Sequence, residues 1–257
     1  MQSGKPLIVG LGEVGGALAT VLEAHGPILR QDLQPVAIAE PVGVMHLCIP
    51  YREPEPFVAA ASAYVAKFRP ALVIIHTTVL PGTTREIATA TSAPVAYSPV
   101  RGKHVKMVED LRHYTKFVAA LTPETAALAA QHLESAGIKT RIMERPETLE
   151  LAKLAETTYF GLQIAFAQEL NRYASRVGAN YKEATHFFEE VAFLPRKTYS
   201  PGFIGGHCVI PNIHLLEKIA FSPLLRSILE SNELRRLELV QGQSANNKQA
   251  ANSRDDG

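Results

Sequence analysis

Apolar and polar positions follow two different patterns along this chain. As far as about residue 143, short continuous apolar runs alternate with stretches whose apolar residues recur every three or four positions. Continuous apolar runs are typical of strands buried on both faces, and the longer spacing is typical of helices with one buried face. Strands are predicted over residues 6–10, 27–31, 42–49, 71–76, 94–98, 116–121 and 139–143. Helices are predicted between them over residues 13–25, 54–68, 82–91 and 123–135.

This alternation of strands and helices predicts an α/β domain of the Rossmann type, with a doubly wound parallel sheet and right-handed crossovers. After Pro146 the pattern becomes helical throughout, which predicts an all-helical domain. The expected division is an α/β domain over 1–146, a helical domain over 147–240 and a disordered tail over 241–257, because the tail lacks apolar residues. The predicted helices span 147–177, 181–191, 212–220 and 223–239, with a loop over 194–207.

Composition excludes several classes of protein. A formal net charge of +1 shows no basic surplus, so neither a nucleic-acid nor an anionic-membrane partner is expected. Cys48 and Cys208 lie far apart, which argues against a disulfide framework or a zinc site, and no metal is expected. No run approaches the roughly 20 apolar residues of a membrane span. A soluble, cytoplasmic protein that acts on a small molecule is the expectation.

A glycine motif follows the first predicted strand. Gly10, Gly12 and Gly15 have the spacing G-x-G-x-x-G and open the first helix. In dinucleotide-binding folds these glycines allow a tight turn, close approach to a pyrophosphate, and close packing of helix and strand. Asp32 ends the second strand, where a carboxylate binds the ribose of NAD and repels the 2′-phosphate of NADP, although Arg30 nearby weakens that preference. A purely structural glycine turn is the alternative, but the strand, helix and acidic residue are all in register.

Two residues of the second half are candidates for carbonyl chemistry. Lys153 lies on a helix that is otherwise apolar on the same side, and Cys208 directly follows Gly205, Gly206 and His207. Glycines before a cysteine allow close backbone approach, and the start of a helix nearby stabilises a thiolate. From the pattern alone, a lysine that extends its amine to solvent and a buried structural cysteine are the alternatives.

Four motifs in one order resemble those of the UDP-glucose/GDP-mannose dehydrogenase family. They are GLGEVG at residues 10–15, HTTVLPGTT at 76–84, the E-x-x-K-L helix that contains Lys153, and GGHC at 205–208. The resemblance covers most of the chain. It implies NAD as cofactor, a homodimer formed through the helix at 147–177, and oxidation of a sugar alcohol to a carboxylate in two hydride transfers, through a thiohemiacetal and a thioester on the cysteine.

The resemblance also implies roles for individual residues. Cys208 falls on the nucleophile and Lys153 on the catalytic lysine, and Thr157 and Asn212 occupy two further catalytic positions. The positions that contact NAD are Gly10, Gly12, Val14, Gly15, Asp32 and Thr78. The candidate substrate-binding residues are Arg101, Gly205, Gly206 and His207. A surface arginine without a ligand is the alternative for Arg101.

The chain departs from the family at several positions. Thr157 replaces an asparagine, Asn212 replaces an aspartate, and Val100 replaces a glutamate. An amide cannot take a proton from an alcohol or a water, and a valine has no polar atom, so two acid/base groups are missing. His207, Glu156 and Arg101 are the candidate substitutes. The sequence also ends before the segment that would match the family's third, nucleotide-sugar-binding domain, so a chain lacking that domain is expected.

Three functions are compatible with this sequence. The first is an NAD-dependent enzyme related to the nucleotide-sugar dehydrogenases that oxidises a sugar-like or acidic alcohol with an altered catalytic set. The second is a β-hydroxyacid-type dehydrogenase, which needs the lysine but not Cys208. The third is a non-catalytic NAD-binding protein with the same fold.

Overall fold

The first half of the protein is built on a seven-stranded sheet. The computed structural model describes residues 4–34, 36–102, 104–189, 191–192, 199–206 and 208–255. The strands are β1 (Lys5–Val9), β2 (Leu29–Gln31), β3 (Val42–Leu47), β4 (Leu72–Ile75), β5 (Val95–Tyr97), β6 (Lys116–Ala120) and β7 (Thr140–Ile142). Their order in the sheet is β2-β1-β3-β4-β5-β6-β7. Because β1 is followed by β2 on one side and by β3 on the other, the order reverses at β1, as in doubly wound folds.

Helices cover both faces of this sheet. They are α1 (Glu13–Glu23), α2 (Pro54–Phe68), α3 (Thr83–Thr91), α4 (Met107–His113) and α5 (Pro123–Ser135). One apolar layer packs the sheet against α1, α4 and α5, and the other packs it against α2 and α3. The predicted α/β fold is therefore confirmed, and strands β3 and β4 are buried along their whole length, as their continuous apolar sequences predicted.

The prediction of an all-parallel sheet is wrong at one pair. Strand β6 runs antiparallel to β5, whereas every other pair is parallel. Among its described residues, the connection carries a 3₁₀ helix at His104–Lys106 and then α4, which has seven residues and is thus about 10 Å long. Because this helix is too short to carry the chain back to the edge where β5 begins, β6 starts at the edge where β5 ends. Helix α4 was not predicted; its only periodic signal is the buried pair Met107 and Leu111.

The second half is helical. Its elements are α6 (Pro146–Val177), α7 (Tyr181–Glu189), α8 (Val209–Ile219) and α9 (Pro223–Asp255). An apolar cluster joins α6, α8 and α9 through residues such as Ala165, Ile213 and Ile228. Of the loop predicted over 194–207, residues 199–206 are described. None of the described helices is long and apolar enough to span a membrane.

The chain divides into two compact units, Met1–Lys153 and Leu154–Gly257. The boundary predicted near Pro146 is where α6 begins, and the first two turns of α6 belong to the first unit because Leu149 packs in its core. The tail composition predicts disorder from residue 241, but the backbone of α9 is helical as far as Asp255. Residues 241–255 include three glutamines and three alanines, and these residue types favour helix even without apolar contacts.

Candidate functional site

The glycine motif forms a turn between β1 and α1. Gly10 has a φ of +89°, which favours glycine, and a Cβ on Gly15 would lie 1.8 Å from the carbonyl oxygen of Gly10. The fold itself therefore requires these two glycines. A Cβ on Gly12 would instead meet no described atom within 4 Å. Gly12 is also the N-cap of α1 and supplies no capping side chain, so an anion can take that place.

Asp32 lies at the end of the neighbouring strand. It follows β2 directly and is exposed, and the amide of Gly10 donates to the carbonyl of Gln31 at 2.8 Å, which ties β2 to the glycine turn. The guanidinium of Arg30 pairs with Glu23 on α1 at 2.6 Å. The arginine that weakened the expected preference for NAD thus has a partner elsewhere. The other predicted cofactor positions are half-buried, with Val14 in the first turn of α1 and Thr78 in the loop after β4.

Hydrogen bonds join the E-x-x-K motif at residues 150–153 to the PGTT motif at residues 81–84 in the first unit. The carboxylate of Glu150 accepts hydrogen bonds from the amides of Gly82 and Thr84, at 2.7 and 2.9 Å, and from the Thr84 hydroxyl at 2.6 Å. Glu150 is fully buried and thereby caps the N-terminus of α3. Burial raises the pKa of Glu150, although these hydrogen bonds oppose the rise. Lys153 lies one turn further along α6, on a helix start that Glu150 anchors.

Cys208 is the N-cap of α8 and is half-buried. The partial positive charge of a helix N-terminus stabilises a thiolate at this position. Gly206, two residues earlier, has a φ of +82°, a conformation that favours glycine. A Cβ on Gly161 of α6 would lie 2.6 Å from Val209, so this glycine allows α8 to approach α6 closely.

An amide on α9 holds the segment that leads to Cys208. The Asn232 side chain accepts from the amide of Ile204 at 2.7 Å and donates to its carbonyl at 3.1 Å. Gln168 of α6 donates to the carbonyl of Gly202 at 2.6 Å. Both amide side chains are buried, and their hydrogen bonds anchor Gly202 and Ile204 of this segment.

Two of the positions that depart from the family contact each other. The amide of Asn212, which is buried in the first turns of α8, donates to the hydroxyl of Thr157 on α6 at 2.8 Å. That hydroxyl donates in turn to the carbonyl of Leu154 at 3.0 Å. The two replacements therefore form one satisfied pair, and neither member can act as a general base at neutral pH.

The third departure lies in the segment after β5. Val100 packs against the apolar layer beneath α1 and α5, and the guanidinium of Arg101 lies 5.6 Å from the centre of the Phe117 ring. Of the suggested substitutes for the missing acid/base groups, Glu156 is exposed on α6, and His207 lies outside the described residues. The structure thus places the guanidinium of Arg101 near the Phe117 ring and an apolar side chain at position 100.

Sequence reasoning missed a buried polar cluster at the carboxyl ends of β3, β4 and β5. Its members are His46, His76, Ser98, Lys116 and Cys48, joined by His132 of α5. The available signal was a titratable residue at the end of, or within, an apolar strand, as in VGVMHL and ALVIIH. Burial raises the pKa of Cys48 to about 12, so this thiol, unlike one at a helix N-terminus, is not activated.

The structure thus distributes the predicted residues over two units. The first unit brings the glycine turn and Asp32 to one edge of its sheet, with the loop of Thr78 and the segment of Arg101 following strands that end at the same edge. The second unit contains Cys208, Gly205 and Gly206, together with the Thr157–Asn212 pair.

Comparisons with known proteins agree with this arrangement. Residues 147–234 match the central domain of the UDP-glucose/GDP-mannose dehydrogenase family. UDP-N-acetyl-D-mannosamine dehydrogenase of Methanocaldococcus jannaschii is 28% identical over 175 residues, which is 66% of this chain and 41% of that protein. The chain therefore spans about 40% of the length of that curated relative.

Solved structures show the same fold. UDP-D-ManNAc dehydrogenase of Pyrococcus horikoshii superposes with a TM-score of 0.81 at 22% identity, over 96% of this chain and 72% of that one. The 3-hydroxyisobutyrate dehydrogenase of Mycobacterium tuberculosis superposes with a TM-score of 0.69 at 16% identity, over 93% and 94% of the two chains.

The fold, a doubly wound domain followed by a helical one, is that of the dehydrogenase structures with which the chain superposes. Within that class, the chain is related to the UDP-glucose/GDP-mannose dehydrogenase family. The resemblance seen in the sequence is confirmed.

Proposed function

We propose that this protein is an NAD-dependent oxidoreductase that acts on the alcohol of a nucleotide sugar or a similar sugar-like substrate, with an altered catalytic set. The observation that carries the proposal is the position of Cys208, which is the N-cap residue of α8 within the segment that matches a dehydrogenase domain. A nucleophile at a helix N-terminus suits addition to an aldehyde.

The residues of the glycine turn fit NAD. Gly12 leaves open space beside an uncapped helix N-terminus, where a pyrophosphate would be bound by backbone amides. The exposed carboxylate of Asp32 would bind the ribose hydroxyls, and a 2′-phosphate would be repelled by it. When bound, NAD would accept the hydride that leaves the substrate carbon.

The remaining chemistry falls to the chain's own side chains. Lys153 would polarise the substrate oxygen, and the Cys208 sulfur would bond to the aldehyde carbon while the aldehyde oxygen takes up a proton. Release of an acid from the later thioester requires a water that loses a proton to a base. Asn212 already donates to Thr157, and its amide can orient a water but cannot deprotonate it.

A single two-electron conversion is therefore favoured over the family's four-electron one. General base catalysis is worth typically ~10²–10⁴-fold, so its loss slows the hydrolytic step far more than the first hydride transfer. UDP-N-acetyl-D-mannosamine, the sugar named by the relatives, is the first substrate to test.

The experiment is a stoichiometry measurement. Wild-type protein should form about one NADH per sugar and little carboxylate. Cys208→Ala should retain that first transfer, because the thiol acts only on the aldehyde. Formation of two NADH and one carboxylate per sugar at an ordinary enzymatic rate would contradict the proposal that the altered catalytic set impairs the second step. Binding of NADH without turnover of any alcohol would favour a non-catalytic NAD-binding protein.

A β-hydroxyacid-type dehydrogenase is the second candidate. It is favoured by the superposition on 3-hydroxyisobutyrate dehydrogenase, which covers nearly the whole of both chains. Turnover of a 3-hydroxy acid that survives Cys208→Ala, with no turnover of nucleotide sugars, would select this candidate.

We also propose a homodimer formed through α6. Four exposed apolar residues of α6 lie on one face of the helix, because their spacings of 7, 14 and 18 residues are close to whole numbers of turns. They are Tyr159, Phe166, Tyr173 and Val177. Family members dimerise through the equivalent helix, so a second copy of the chain is the expected partner.

A further inference from the structure

Three histidines form a continuous row through the interior of the first unit. His46 is on β3, His76 directly follows β4, and His132 is on α5. The Nδ1 of His46 lies 2.9 Å from Nε2 of His76, and the Nε2 of His46 lies 2.9 Å from Nε2 of His132. His46 and His76 are fully buried, whereas His132 is half-buried. We call these three residues the histidine row.

The inner end of the row fixes its protons. The Nδ1 of His76 lies 2.8 Å from the carbonyl oxygen of Ser98, which can only accept, so His76 carries its proton on Nδ1. A neutral ring then accepts at Nε2, so His46 donates from Nδ1. The Nε2 of His46 accepts in turn, so His132 donates from Nε2. One carbonyl thus sets the tautomers of all three rings.

His46 and His76 are both neutral in this arrangement of protons. A proton added to His46 or His76 would place two N–H donors opposite each other at one of the links. Burial lowers the pKa of all three histidines, that of His132 to about 4. The row therefore has one arrangement of protons across the ordinary range of pH. Its rings are bonded in series, and no group of His, Cys, Asp or Glu among the described residues is arranged to hold a metal ion.

Lys116 binds the same carbonyl oxygen of Ser98. Its amine donates to the carbonyls of Ser98 and Pro99, at 2.6 and 2.9 Å, and it is almost completely buried. The Ser98 hydroxyl donates to the carbonyl of Phe117 at 2.8 Å, and the Ser98 amide donates to the carbonyl of Ile75 at 2.9 Å. Every polar group of Ser98 therefore has a partner.

This arrangement is unfavourable for the fold alone. A buried amine and two fully buried imidazoles replace apolar side chains that would fill the same layer without desolvation. The chain that they hold continues directly into Val100 and Arg101. Polar groups buried at such expense and aimed at one loop are typical of functional sites.

We propose that Lys116 and the histidine row are positioning residues that hold the Ser98–Arg101 segment for substrate binding. The role of that segment rests on the proposed function, in which Arg101 contacts the substrate. His132 on α5 is connected to the Ser98 carbonyl through the rings of His46 and His76. A substitution at His132 should therefore affect the Ser98–Arg101 segment.

Histidine tautomers measured by ¹⁵N NMR on the whole chain test the proton arrangement. At pH 7, His46 and His76 should be Nδ1–H tautomers and His132 an Nε2–H tautomer. An Nε2–H tautomer at His46 or His76 would overturn the proposal.

His132→Leu and His132→Gln test the positioning. Leucine removes the donor to His46, whereas the glutamine amide can replace it, and His132 is half-buried, so both variants should fold. Amide hydrogen exchange of Arg101 and Gly102 should be about tenfold faster in His132→Leu and return to within twofold of wild type in His132→Gln. His25→Leu, at an exposed histidine of the same unit, is the control and should leave exchange unchanged. Unchanged exchange in His132→Leu would overturn the proposal.

Binding separates this inference from the proposed function. The Kd of UDP-N-acetyl-D-mannosamine should rise about tenfold in His132→Leu and recover in His132→Gln, with NADH affinity unchanged. If no nucleotide sugar binds wild-type protein, the proposed function fails, while the tautomers and amide exchange still decide the role of the row.

Discussion

The buried amine of Lys116 should make the stability of the fold depend on pH. Burial is the main cause that lowers its pKa to about 7, and nearby Lys153 lowers it further. In the unfolded chain the pKa of a lysine is ~10.4. Between these values the unfolded state holds one more proton than the folded state, so the free energy of unfolding rises with pH. Below pH 7 both states are protonated and the dependence disappears.

The magnitude follows from the proton difference. Each pH unit in this interval contributes up to about 1.4 kcal/mol, so raising the pH from 7 to 8.5 should stabilise the fold by about 2 kcal/mol. The interval ends at pH 8.5 because the ionisation of Cys48 lowers the free energy of unfolding at higher pH, opposite to the effect of Lys116. Its pKa is raised from 9.0 to about 12, so the unfolded state loses that proton first at higher pH.

The assay is urea denaturation at several pH values, followed by circular dichroism, for wild type and Lys116→Met. Methionine fills a similar volume and cannot titrate. The wild type should gain about 2 kcal/mol more than Lys116→Met over this interval, as estimated from the proton difference. Lys139→Met, at an exposed lysine, is the control and should follow the wild type. If the free energies of unfolding of wild type and Lys116→Met change in parallel with pH, the amine of Lys116 is not buried as described.

Four further predictions concern separate parts of the molecule. NADH should bind with a lower Kd than NADPH, and Asp32→Ala should bring the two Kd values closer together. Tighter binding of NADPH than of NADH by wild type would refute the role of Asp32. Phe166→Glu should convert a dimer into a monomer in light scattering, whereas Phe187→Glu, on exposed α7, should not; a wild-type monomer at micromolar concentration would remove the basis of this prediction. Asn212→Asp should increase carboxylate formation by the otherwise intact site, and no increase would count against the missing base as the cause. Between pH 6.5 and pH 5, the free energy of unfolding of wild type should fall more steeply than that of His46→Phe, by up to about 1.4 kcal/mol per pH unit in denaturation curves. Burial lowers the pKa of His46, so in this range only the unfolded state takes up the proton. Equal dependence of the two unfolding free energies on pH would contradict the burial of His46.

Local sequence determined most of the elements and the glycine turn. Helices α2 and α5 were predicted with the bounds that they have, because each has proline in its first turn, where the missing N–H is not needed. The Thr122 hydroxyl also accepts from the amide of Thr125 and so caps α5. The glycine motif is equally local, since positive φ at Gly10 and close packing at Gly15 are required by the turn itself.

Tertiary structure decided how distant segments meet. The antiparallel direction of β6 depends on the length and packing of α4, whose own sequence carries a weak helical signal. The interlock of Glu150 with Gly82 and Thr84 joins motifs 66 to 68 residues apart, which the sequence displays separately.

The candidate sites show the same division. The sequence alone identified Asn212 and Thr157 as departures from the family, but only the fold shows that they form a hydrogen bond with each other. His46 and His132 are 86 residues apart, and their protons are set by the carbonyl of Ser98, which directly follows β5. Turn and helix preferences depend on neighbouring residues and can be read along the chain, whereas hydrogen bonds between buried side chains depend on which strands lie side by side, and that is decided when the sheet forms.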